Sequence, residues 1–393
     1  MDTKERIRRI TPQSLLCALR AWFGLCPHRH TLILLSLAVI ALHLVTRGNR
    51  AWNTWLSEHL IAPAHRALSG LCEALPFSAA ELLIMLLAAA VLGYLLWQLA
   101  ALVFRGERLQ RLYRTLSALL ALSLAVYAGF CLLWGVYYYG DDFLVRSGLR
   151  DEPISTEDLA RTTALFAALA NASGEQVDRD EAGCCVFDRA AILVDSARLY
   201  ERVARRFPCL DGPARHAKGV CFSRAMSYAD FTGFFCPFTG EANVNLDFPC
   251  ALFPATVAHE LAHQRGVAQE QEANFAAVLA CLENGESDWV YSASLLAYVH
   301  LGNALYKADR EAWSTIYDGL SEGVRADLAA SRAYWAQFET PVQTVSNTVY
   351  EGFLHSYNQS QGLKSYGACV DLLVNYYADV PLADFLAFLE KNP

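Results

Sequence analysis

The sequence predicts three membrane-spanning helices near the N-terminus, followed by a mostly helical α+β domain with a small sheet. Two observations lead to this fold class. Apolar residues make up 54% of the 393 residues and charged residues only 18%, which excludes a disordered chain and a nucleic-acid-binding arm. The charge is also divided: residues 1–139 carry 13 Lys/Arg against 6 Asp/Glu (+7), and residues 140–393 carry 19 against 34 (−15). This pattern is typical of a membrane anchor followed by a water-facing domain.

Three stretches are long and apolar enough to cross a bilayer, which takes about 20 residues. The predicted spans cover about residues 30–46, 77–104 and 115–139. The third span closes on aromatic residues that we expect in the headgroup layer of the membrane, namely Trp134, Tyr137, Tyr138 and Tyr139. Residues 1–139 are therefore predicted to form the membrane anchor, and residues 140–393 a separate domain.

The orientation follows from the Lys and Arg residues of the short connections, since positively charged connections stay in the cytoplasm. The first connection carries three over residues 47–76. The N-terminal tail carries six, namely Lys4, Arg6, Arg8, Arg9, Arg20 and Arg29. The second connection carries four, namely Arg105, Arg108, Arg111 and Arg114. We therefore predict a multi-pass protein of the cytoplasmic membrane with its N-terminus in the cytoplasm and residues 140–393 outside.

The sequence pattern changes along the domain that follows the spans. Ser155 is predicted to cap a helix that runs to about residue 172, and residues 188–207 to form a second helix. Residues 219–246 are rich in Phe, Val, Thr and Gly, which predicts two to four short strands with a hairpin at residues 237–240. From Pro254 onward the apolar period is helical again, through about six helices to Phe388. A small sheet followed by many helices is an α+β arrangement.

One short motif carries the predicted chemistry. His259 and His263 are four positions apart and Glu260 follows the first of them. On a helix this spacing puts both imidazoles on one face, where the two Nε2 atoms can bind one Zn²⁺ ion. Glu260 is placed to accept a proton from a water molecule at that ion. Pro254 suits the first turn of this helix and Gly266 its end. A pair of core histidines without a metal is the alternative interpretation.

A third ligand is predicted on the helix that follows. The run Glu270-Gln-Glu272-Ala-Asn274 is similar to the E-x-x-A-D/N pattern of gluzincin peptidases. That resemblance implies Glu270 as the third ligand, and Asn274 as a residue that orients a ligand. Glu272 stays an alternative ligand, because the loop after His263 is short for either carboxylate. Both carboxylates also suit a helix N-terminus that carries no metal.

Longer runs of the sequence resemble a bacterial membrane family. The runs are HELAHQRG and EQEANF, with FTGEANVN before them and SYGACVDLL near the end of the chain. They are similar to the family known as domain of unknown function 3810, and the resemblance covers nearly the whole chain. It implies a zincin-like metallopeptidase fold and names no substrate. The residues that it marks are His259, Glu260, His263, Glu270, Glu272 and Asn274.

The resemblance to zincins also implies a strand that pairs with the substrate and a group that stabilises the oxyanion. In zincins a strand just before the active-site helix pairs with the substrate backbone. By this analogy the substrate strand is Glu241, Ala242, Asn243, Val244 and Asn245. The candidates for the oxyanion group are Tyr291, His300, Tyr350, His355 and Tyr366, and the sequence does not select among them.

The leading hypothesis is a membrane-anchored zinc metallopeptidase that hydrolyses peptide or protein amide bonds outside the cytoplasmic membrane. Zn²⁺ is the expected cofactor, and the lipid bilayer and a peptide or protein substrate are the expected partners, with no nucleic acid. One alternative is a zincin-type membrane sensor that signals through its spans to an unknown partner. Another is a pseudoenzyme in which zinc is structural, which the retained Glu260 disfavours.

Overall fold

The computed structural model describes residues 12–104, 108–149, 152–357 and 366–390. Several residues of the orientation prediction, Lys4, Arg6, Arg8, Arg9 and Arg105, lie outside the described residues. The first elements in chain order are α1 (Pro12–Leu25), α2 (Pro27–Thr46), α3 (Arg50–Leu56), α4 (Ala62–Glu73), α5 (Ala79–Phe104) and α6 (Arg108–Leu133). Next come α7 (Phe143–Ser147), α8 (Thr156–Gly174), α9 (Arg189–Asp195), α10 (Glu201–Arg206), β1 (Lys218–Val220), α11 (Ser223–Tyr228), β2 (Gly233–Cys236) and β3 (Glu241–Asn245). The chain continues with α12 (Phe253–Gln264), α13 (Glu270–Asn284), α14 (Ser287–Ala308), α15 (Arg310–Asp318), α16 (Glu322–Ala336), α17 (Pro341–Ser356), α18 (Tyr366–Tyr377) and α19 (Leu382–Leu386).

The chain divides into two compact units. The first, called the helical unit below, consists of Met1–Arg47 and Ile84–Leu133. The second, called the site unit, consists of Gly48–Leu83 and Trp134–Pro393. This division differs from the predicted border between residues 139 and 140, because the connection between the first two predicted spans packs within the site unit.

Three helices are long and apolar enough to cross a membrane. They cover Pro27–Thr46, Ala79–Val103 and Arg108–Leu133, with mean hydropathies of 1.7, 2.3 and 2.2 over their most apolar windows. The outward side chains of α2 and α5 are large and apolar, as a bilayer requires. Within the helical unit α2 packs along α6. Helices long enough to span a membrane thus cover the three predicted spans, and the third begins seven residues and ends six residues earlier than predicted.

Three of the four aromatic residues at the end of the third predicted span lie in the protein interior and not in a membrane belt. After α6, a 3₁₀ helix covers Gly135–Tyr139, and Trp134, Tyr137 and Tyr138 are each less than a tenth exposed. They pack inside the site unit, where Trp134 contacts the rings of His65 and Phe235. The prediction was wrong because a run of Trp and Tyr suits a protein interior as well as a headgroup layer.

A small mixed sheet lies in the site unit. Its strand order is β1-β3-β2, with β1 parallel and β2 antiparallel to the central strand β3. The turn between β2 and β3 covers residues 237–240, as predicted, and Gly240 takes a positive φ of 70° there. α12 packs on β2 and β3, and α13 and α14 pack against α12. The core of the unit lies between these helices and the sheet.

Two helix predictions had different outcomes. The predicted helix after Ser155 is confirmed as α8, whose N-cap Ser155 accepts a hydrogen bond from the Asp158 backbone N–H. The single helix predicted over residues 188–207 is broken into α9, a 3₁₀ turn at Ser196–Arg198 and α10. In that turn the Ser196 hydroxyl donates to the Leu193 carbonyl and accepts from the Ala217 backbone N–H. This competition for backbone groups ends the helix.

The first turn of α5 is fixed to the central strand by buried polar contacts. The Glu241 carboxylate accepts from the backbone N–H groups of Ala79 and Ala80, at 3.2 and 2.8 Å. The Ser78 hydroxyl donates to Asn243 Oδ1 at 2.6 Å. Lys218 forms a buried ion pair with Glu241 at 2.9 Å. Charged and polar side chains of this kind persist in an interior only when they are paired, so this cluster ties residues 78–80 to β3.

This attachment constrains the membrane topology. The site unit holds both residues 48–83 and residues 134–393, and one compact unit cannot lie on both sides of a bilayer. We therefore expect α5 and α6 together to cross a membrane an even number of times, as two predicted spans would.

We expect the site unit to lie outside the cytoplasm. A C-terminal alkaline phosphatase fusion should be active and a C-terminal green fluorescent protein fusion dark, because the first folds only outside and the second only inside. The same reporters on the N-terminus should give the opposite results. A fluorescent C-terminal fusion would contradict the orientation that the Lys and Arg counts predict.

Candidate metal centre

The helix that carries the motif is placed by local sequence signals. α12 has Pro254 in its first turn, as predicted, and ends at Gln264. Gly266 has a positive φ of 79°, and the Val267 N–H returns to the Ala262 carbonyl at 3.1 Å. This glycine turn brings the Val267 carbonyl back beside the last turn of the helix. The predicted helix stop at Gly266 is confirmed.

Three potential ligands converge at the end of this helix. His259, His263 and Glu270 each offer a ligand atom, and these atoms lie within 4.8 Å of one another. The two Nε2 atoms are 3.0 Å apart. Glu270 Oε2 lies 3.2 Å from His259 Nε2 and 3.7 Å from His263 Nε2. The structure therefore brings together the two histidines and the carboxylate that the sequence placed first.

Hydrogen bonds on the far side of each ring fix which nitrogen faces the cluster. His259 Nδ1 donates to Asn274 Oδ1 at 2.9 Å, and His263 Nδ1 donates to the Val267 carbonyl at 2.6 Å. Because a carbonyl oxygen only accepts, each Nδ1 carries a hydrogen, and each Nε2 presents a lone pair to the cluster when its ring is neutral. Two lone pairs and a carboxylate that face one point repel one another unless a proton or a metal cation lies between them.

Glu260 lies beside this cluster and is buried. Its Oε2 atom has no hydrogen-bond partner among the described residues. Burial raises the pKa of Glu260 to about 7, while the charges of His259 and His263 lower it and Glu270 raises it. A carboxyl group with this pKa exchanges its proton readily near neutral pH.

The charges of the cluster are strongly coupled. Burial lowers the pKa of His263, but the carboxylates of Glu270 and Glu260 outweigh it and raise the pKa to about 9. Burial alone would raise the pKa of Glu270, yet the two histidines hold it well below its ordinary value. Positive charge is therefore favoured at His263 and negative charge at Glu270.

The alternative ligand Glu272 lies in a different environment. Its two carboxylate oxygens accept from the backbone N–H groups of Phe143 and Leu144, both at 2.9 Å. These are the first N–H groups of α7, so Glu272 caps that helix. Burial and, to a smaller extent, the charge of Asp142 raise the pKa of Glu272 to about 7, although the two backbone hydrogen bonds lower it. The structure thus directs Glu272 away from the histidines.

The predicted substrate strand, Glu241–Asn245, is the central strand of the sheet, and this corrects the prediction. Both edges of β3 are occupied, by β1 and by β2. The strand is buried along its whole length, and its polar side chains hold other segments of the site unit. The Asn245 amide, for example, donates to Ser227 Oγ at 2.9 Å. A strand without a free edge cannot pair with a further chain.

The strand with a free edge beside the cluster is β2. Among the described strands β2 lies at one edge of the sheet. The Asn245 N–H donates to the Thr232 carbonyl at 2.9 Å, so these two residues form a hydrogen-bonded pair. Along an antiparallel ladder, hydrogen-bonded pairs alternate with pairs whose backbone groups point away from the partner strand. The backbone groups of Gly233 and Phe235 therefore point away from β3. A Cβ atom at Gly233 would lie 2.5 Å from Glu260 Oε1, so only glycine allows this close approach.

Tyr350 is the oxyanion candidate that reaches the cluster. Its hydroxyl, carried by α17, donates to Glu270 Oε1 at 2.7 Å. Burial raises the pKa of Tyr350, and the negative charge of Glu270 raises it further. The phenol is therefore protonated at any physiological pH, and it is a fixed hydrogen-bond donor at the side of Glu270.

The other oxyanion candidates have different surroundings. The Tyr291 hydroxyl donates to Asp327, which also pairs with Arg179 at 2.9 Å. Burial lowers the pKa of His300 to about 4, with a smaller contribution from His259. His355 is exposed on α17. The side chain of Tyr366 lies outside the described residues.

Sequence reasoning did not identify Gly233, Val267 or Trp134 as parts of the site. Trp134 contacts the ring of His263 edge-on, with the centroids 5.9 Å apart, and so restricts its orientation. A glycine inside the strand pattern at Gly233 was the available signal for a close backbone approach. The sequence gives no such signal for the Val267 carbonyl, because every residue has a carbonyl group. It gives none for the Trp134 ring, because a tryptophan at this position is also typical of the end of a membrane span.

A known family matches most of the chain. The family described as "Protein of unknown function (DUF3810)" matches residues 57–374. No curated protein and no solved structure matches the chain. The matched range includes α4, the sheet, α12 and α13, and therefore every residue of the cluster.

Proposed function

Because the chain belongs to the DUF3810 family, a family of unknown function, we propose from the site alone that it is a zinc-dependent peptidase held at a membrane. The observation that carries this proposal is the cluster of His259, His263 and Glu270 with the buried carboxylate of Glu260 beside it. Zinc peptidases with two histidines and a glutamate as ligands use the same donor set. The zincin-like fold is part of the proposal.

The donor atoms fit a zinc ion. Zinc binds histidine nitrogen at about 2.0–2.1 Å in tetrahedral geometry, which places two nitrogen ligands roughly 3.3 Å apart. The observed separation of 3.0 Å between the Nε2 atoms is close to this value. Both rings are oriented by acceptors on their Nδ1 atoms, which is the usual support of a histidine ligand. His259, His263 and Glu270 would hold the ion, and Asn274 and Val267 would orient the two rings.

The residues around the cluster have distinct chemical tasks. When bound, Zn²⁺ supplies a Lewis acid that polarises a carbonyl oxygen. Glu260 takes a proton from the attacking water as the oxygen–carbon bond forms, and it then gives that proton to the leaving amine as the carbon–nitrogen bond breaks. In the metal-free protein its pKa is about 7, so burial favours a carboxyl that can hold as well as release a proton.

The free edge of β2 supports a substrate with an extended backbone. Backbone groups of Gly233 and Phe235 would pair with a peptide laid along this edge, in the manner of an added strand. Because Gly233 approaches Glu260 closely, such a peptide would pass beside the proton acceptor. This geometry supports amide bonds in extended peptides as substrates, and it replaces β3 with β2 as the proposed substrate strand.

Turnover of a peptide library tests the proposed function. The full-length protein, purified in detergent, should cleave peptides in the presence of zinc, and mass spectrometry should locate the cut bonds. A chelator should abolish cleavage and added Zn²⁺ should restore it. Cleavage that persists equally in the chelator, or in His263→Ala, would contradict a zinc peptidase at this site.

We expect Tyr350→Phe to lower the rate of hydrolysis and keep the metal. The phenol would turn its one hydrogen from Glu270 Oε1 to the developing oxyanion, and removing one such donor typically costs about 10²–10³ in kcat. The measurement is kcat and KM together with zinc content. Tyr298→Phe is the matched control, since Tyr298 is a buried tyrosine of α14 whose hydroxyl has no partner among the described residues. A loss of zinc in Tyr350→Phe, with kcat per bound zinc unchanged, would give Tyr350 a ligand-holding role instead.

A further inference from the structure

A basic cavity lies in the helical unit, apart from the candidate metal centre. Its volume is about 290 Å³, and it is bordered by the start of α2, the last turns of α5 and the first turns of α6. Arg29, Arg111, Arg114 and His28 line it. The guanidinium groups of three arginines give this cavity a basic lining that can bind an anion.

The arginine nearest to α2 is held in place by its neighbours. Arg29 donates to the main-chain carbonyl of Arg114, and its guanidinium lies 5.8 Å from the centre of the Tyr94 ring. The Tyr94 hydroxyl donates to the same carbonyl at 3.3 Å. The first turn of α2 faces the cavity as well, and its N-cap residue Cys26 makes no side-chain cap bond. The positive end of this 20-residue helix therefore adds to the charge of the arginines.

A buried amide in the cavity wall points to a second feature of the ligand. Gln98 lines the cavity and is 4% exposed. Its Nε2 donates to the Tyr94 hydroxyl at 2.9 Å, and the hydroxyl hydrogen is already used toward the Arg114 carbonyl. Gln98 Oε1 is left buried without a partner among the described residues. Such an acceptor favours a ligand that brings an O–H or N–H donor as well as its negative charge.

We propose that this cavity binds a phosphate ester that carries hydroxyl groups, and that its source is the headgroup of an anionic phospholipid such as phosphatidylglycerol. The phosphate would contact the arginines, and a headgroup hydroxyl would donate to Gln98. The cavity lies at the ends of helices that are long and apolar enough to span a membrane, which is the depth of lipid phosphates. Trp97, 54% exposed beside the cavity, suits the same depth. This proposal does not depend on peptidase activity.

Native mass spectrometry of the full-length protein in detergent tests the proposal. Four probes are compared: phosphatidylglycerol, phosphatidylmethanol, phosphatidylcholine and soluble glycerol phosphate. Phosphatidylmethanol has the same phosphodiester charge without the hydroxyl groups. We expect one retained phosphatidylglycerol per chain, weaker retention of phosphatidylmethanol by about fivefold, as one net hydrogen bond implies, and no retained phosphatidylcholine.

Variants locate the site. Arg111→Gln combined with Arg114→Gln should abolish selective retention, because two of the three charges are lost. Arg108→Gln is the matched control, since Arg108 is exposed on the same helix and does not line the cavity. Gln98→Leu should bind phosphatidylglycerol and phosphatidylmethanol equally.

Three results would overturn the proposal. The first is equal retention of phosphatidylglycerol and phosphatidylcholine by the unmodified protein, which needs no variant to fold. The second is a loss in Arg108→Gln as large as that in the double variant. The third is binding of glycerol phosphate as tight as that of the lipid, which would make a soluble anion the ligand instead of a membrane lipid.

Discussion

Glu260→Gln is expected to lower peptide hydrolysis by at least 10²–10⁴-fold and to leave zinc in place. The substitution keeps the size of a side chain that has no hydrogen-bond partner for Oε2 among the described residues, and it removes the proton acceptor. General-base catalysis typically contributes a factor of this size. The measurement is kcat/KM on a cleaved peptide, with zinc per chain from elemental analysis. A variant that loses zinc together with activity would instead make Glu260 a structural part of the centre.

The pH dependence separates a base from a merely buried carboxyl group. The base acts when it is deprotonated, so kcat/KM of the unmodified protein should rise with pH through the pKa of Glu260. That pKa is about 7 without a metal, and a bound dication lowers it. The residual activity of Glu260→Gln should lack this rise. If the activity of the variant rose with pH in the same way, the titrating group would be one other than Glu260.

The same carboxyl group should make the metal-free protein less stable at high pH. The folded protein holds the Glu260 proton more tightly than the unfolded chain, because burial raises the pKa from 4.5 to about 7. The unfolding free energy therefore falls as pH rises from about 4.5 to about 7, and it stays lower above that. With chelator present, Glu260→Gln should melt at a higher temperature than the unmodified protein at pH 8 and at a similar temperature at pH 4. Equal differences at both pH values would contradict the shift.

The parts of the site that sequence reasoning identified are those that local spacing determines. His259, Glu260 and His263 share one helix, and Pro254 and Gly266 fix where that helix begins and ends. Spacing alone therefore predicts the geometry of the two imidazoles. The resemblance to the gluzincin pattern implied Asn274, and it contacts His259 as expected for a residue that orients a ligand.

The parts that were missed depend on contacts between distant segments. The Glu272 carboxylate is held by Phe143 and Leu144, about 130 positions earlier in the chain, and no periodicity around Glu272 encodes that contact. The run after Leu133 has the composition of a membrane belt, yet it packs against His65 and Phe235. The polar residues of β3 looked available for a substrate, whereas Glu241 and Asn243 fix the first turn of α5. In each case the residue type correctly indicated a buried or polar role, but the segment that the residue contacts could not be predicted from the sequence.

Glu270→Gln should cost far more metal affinity than Glu272→Gln. Glu270 Oε2 lies within 3.7 Å of both Nε2 atoms, so the substitution removes a charged ligand from the centre. Glu272 faces the N-terminus of α7, where glutamine can still accept one of the two backbone hydrogen bonds. We expect stoichiometric zinc in Glu272→Gln and substoichiometric zinc in Glu270→Gln. Asn274→Ala should lie between them, with a 10–100-fold weaker affinity, because it releases the His259 ring without removing a ligand.

Glu270→Gln and Glu272→Gln are matched variants, because both glutamates lie on the same turn of α13 and both are changed to the same amide. Zinc affinity is measured by competition with a chromophoric chelator, and folding by thermal unfolding in excess chelator, where only the metal-free stabilities enter. Glu270→Gln is expected to lower the melting temperature of the metal-free protein at pH 8 more than Glu272→Gln does. The two histidines stabilise the Glu270 carboxylate and hold its pKa low, whereas burial raises the pKa of Glu272 to about 7. Equal losses of zinc in the two variants, or a greater loss in Glu272→Gln, would show that the ligand lies two residues further along the helix. Glu270 would then not be the third ligand beside His259 and His263.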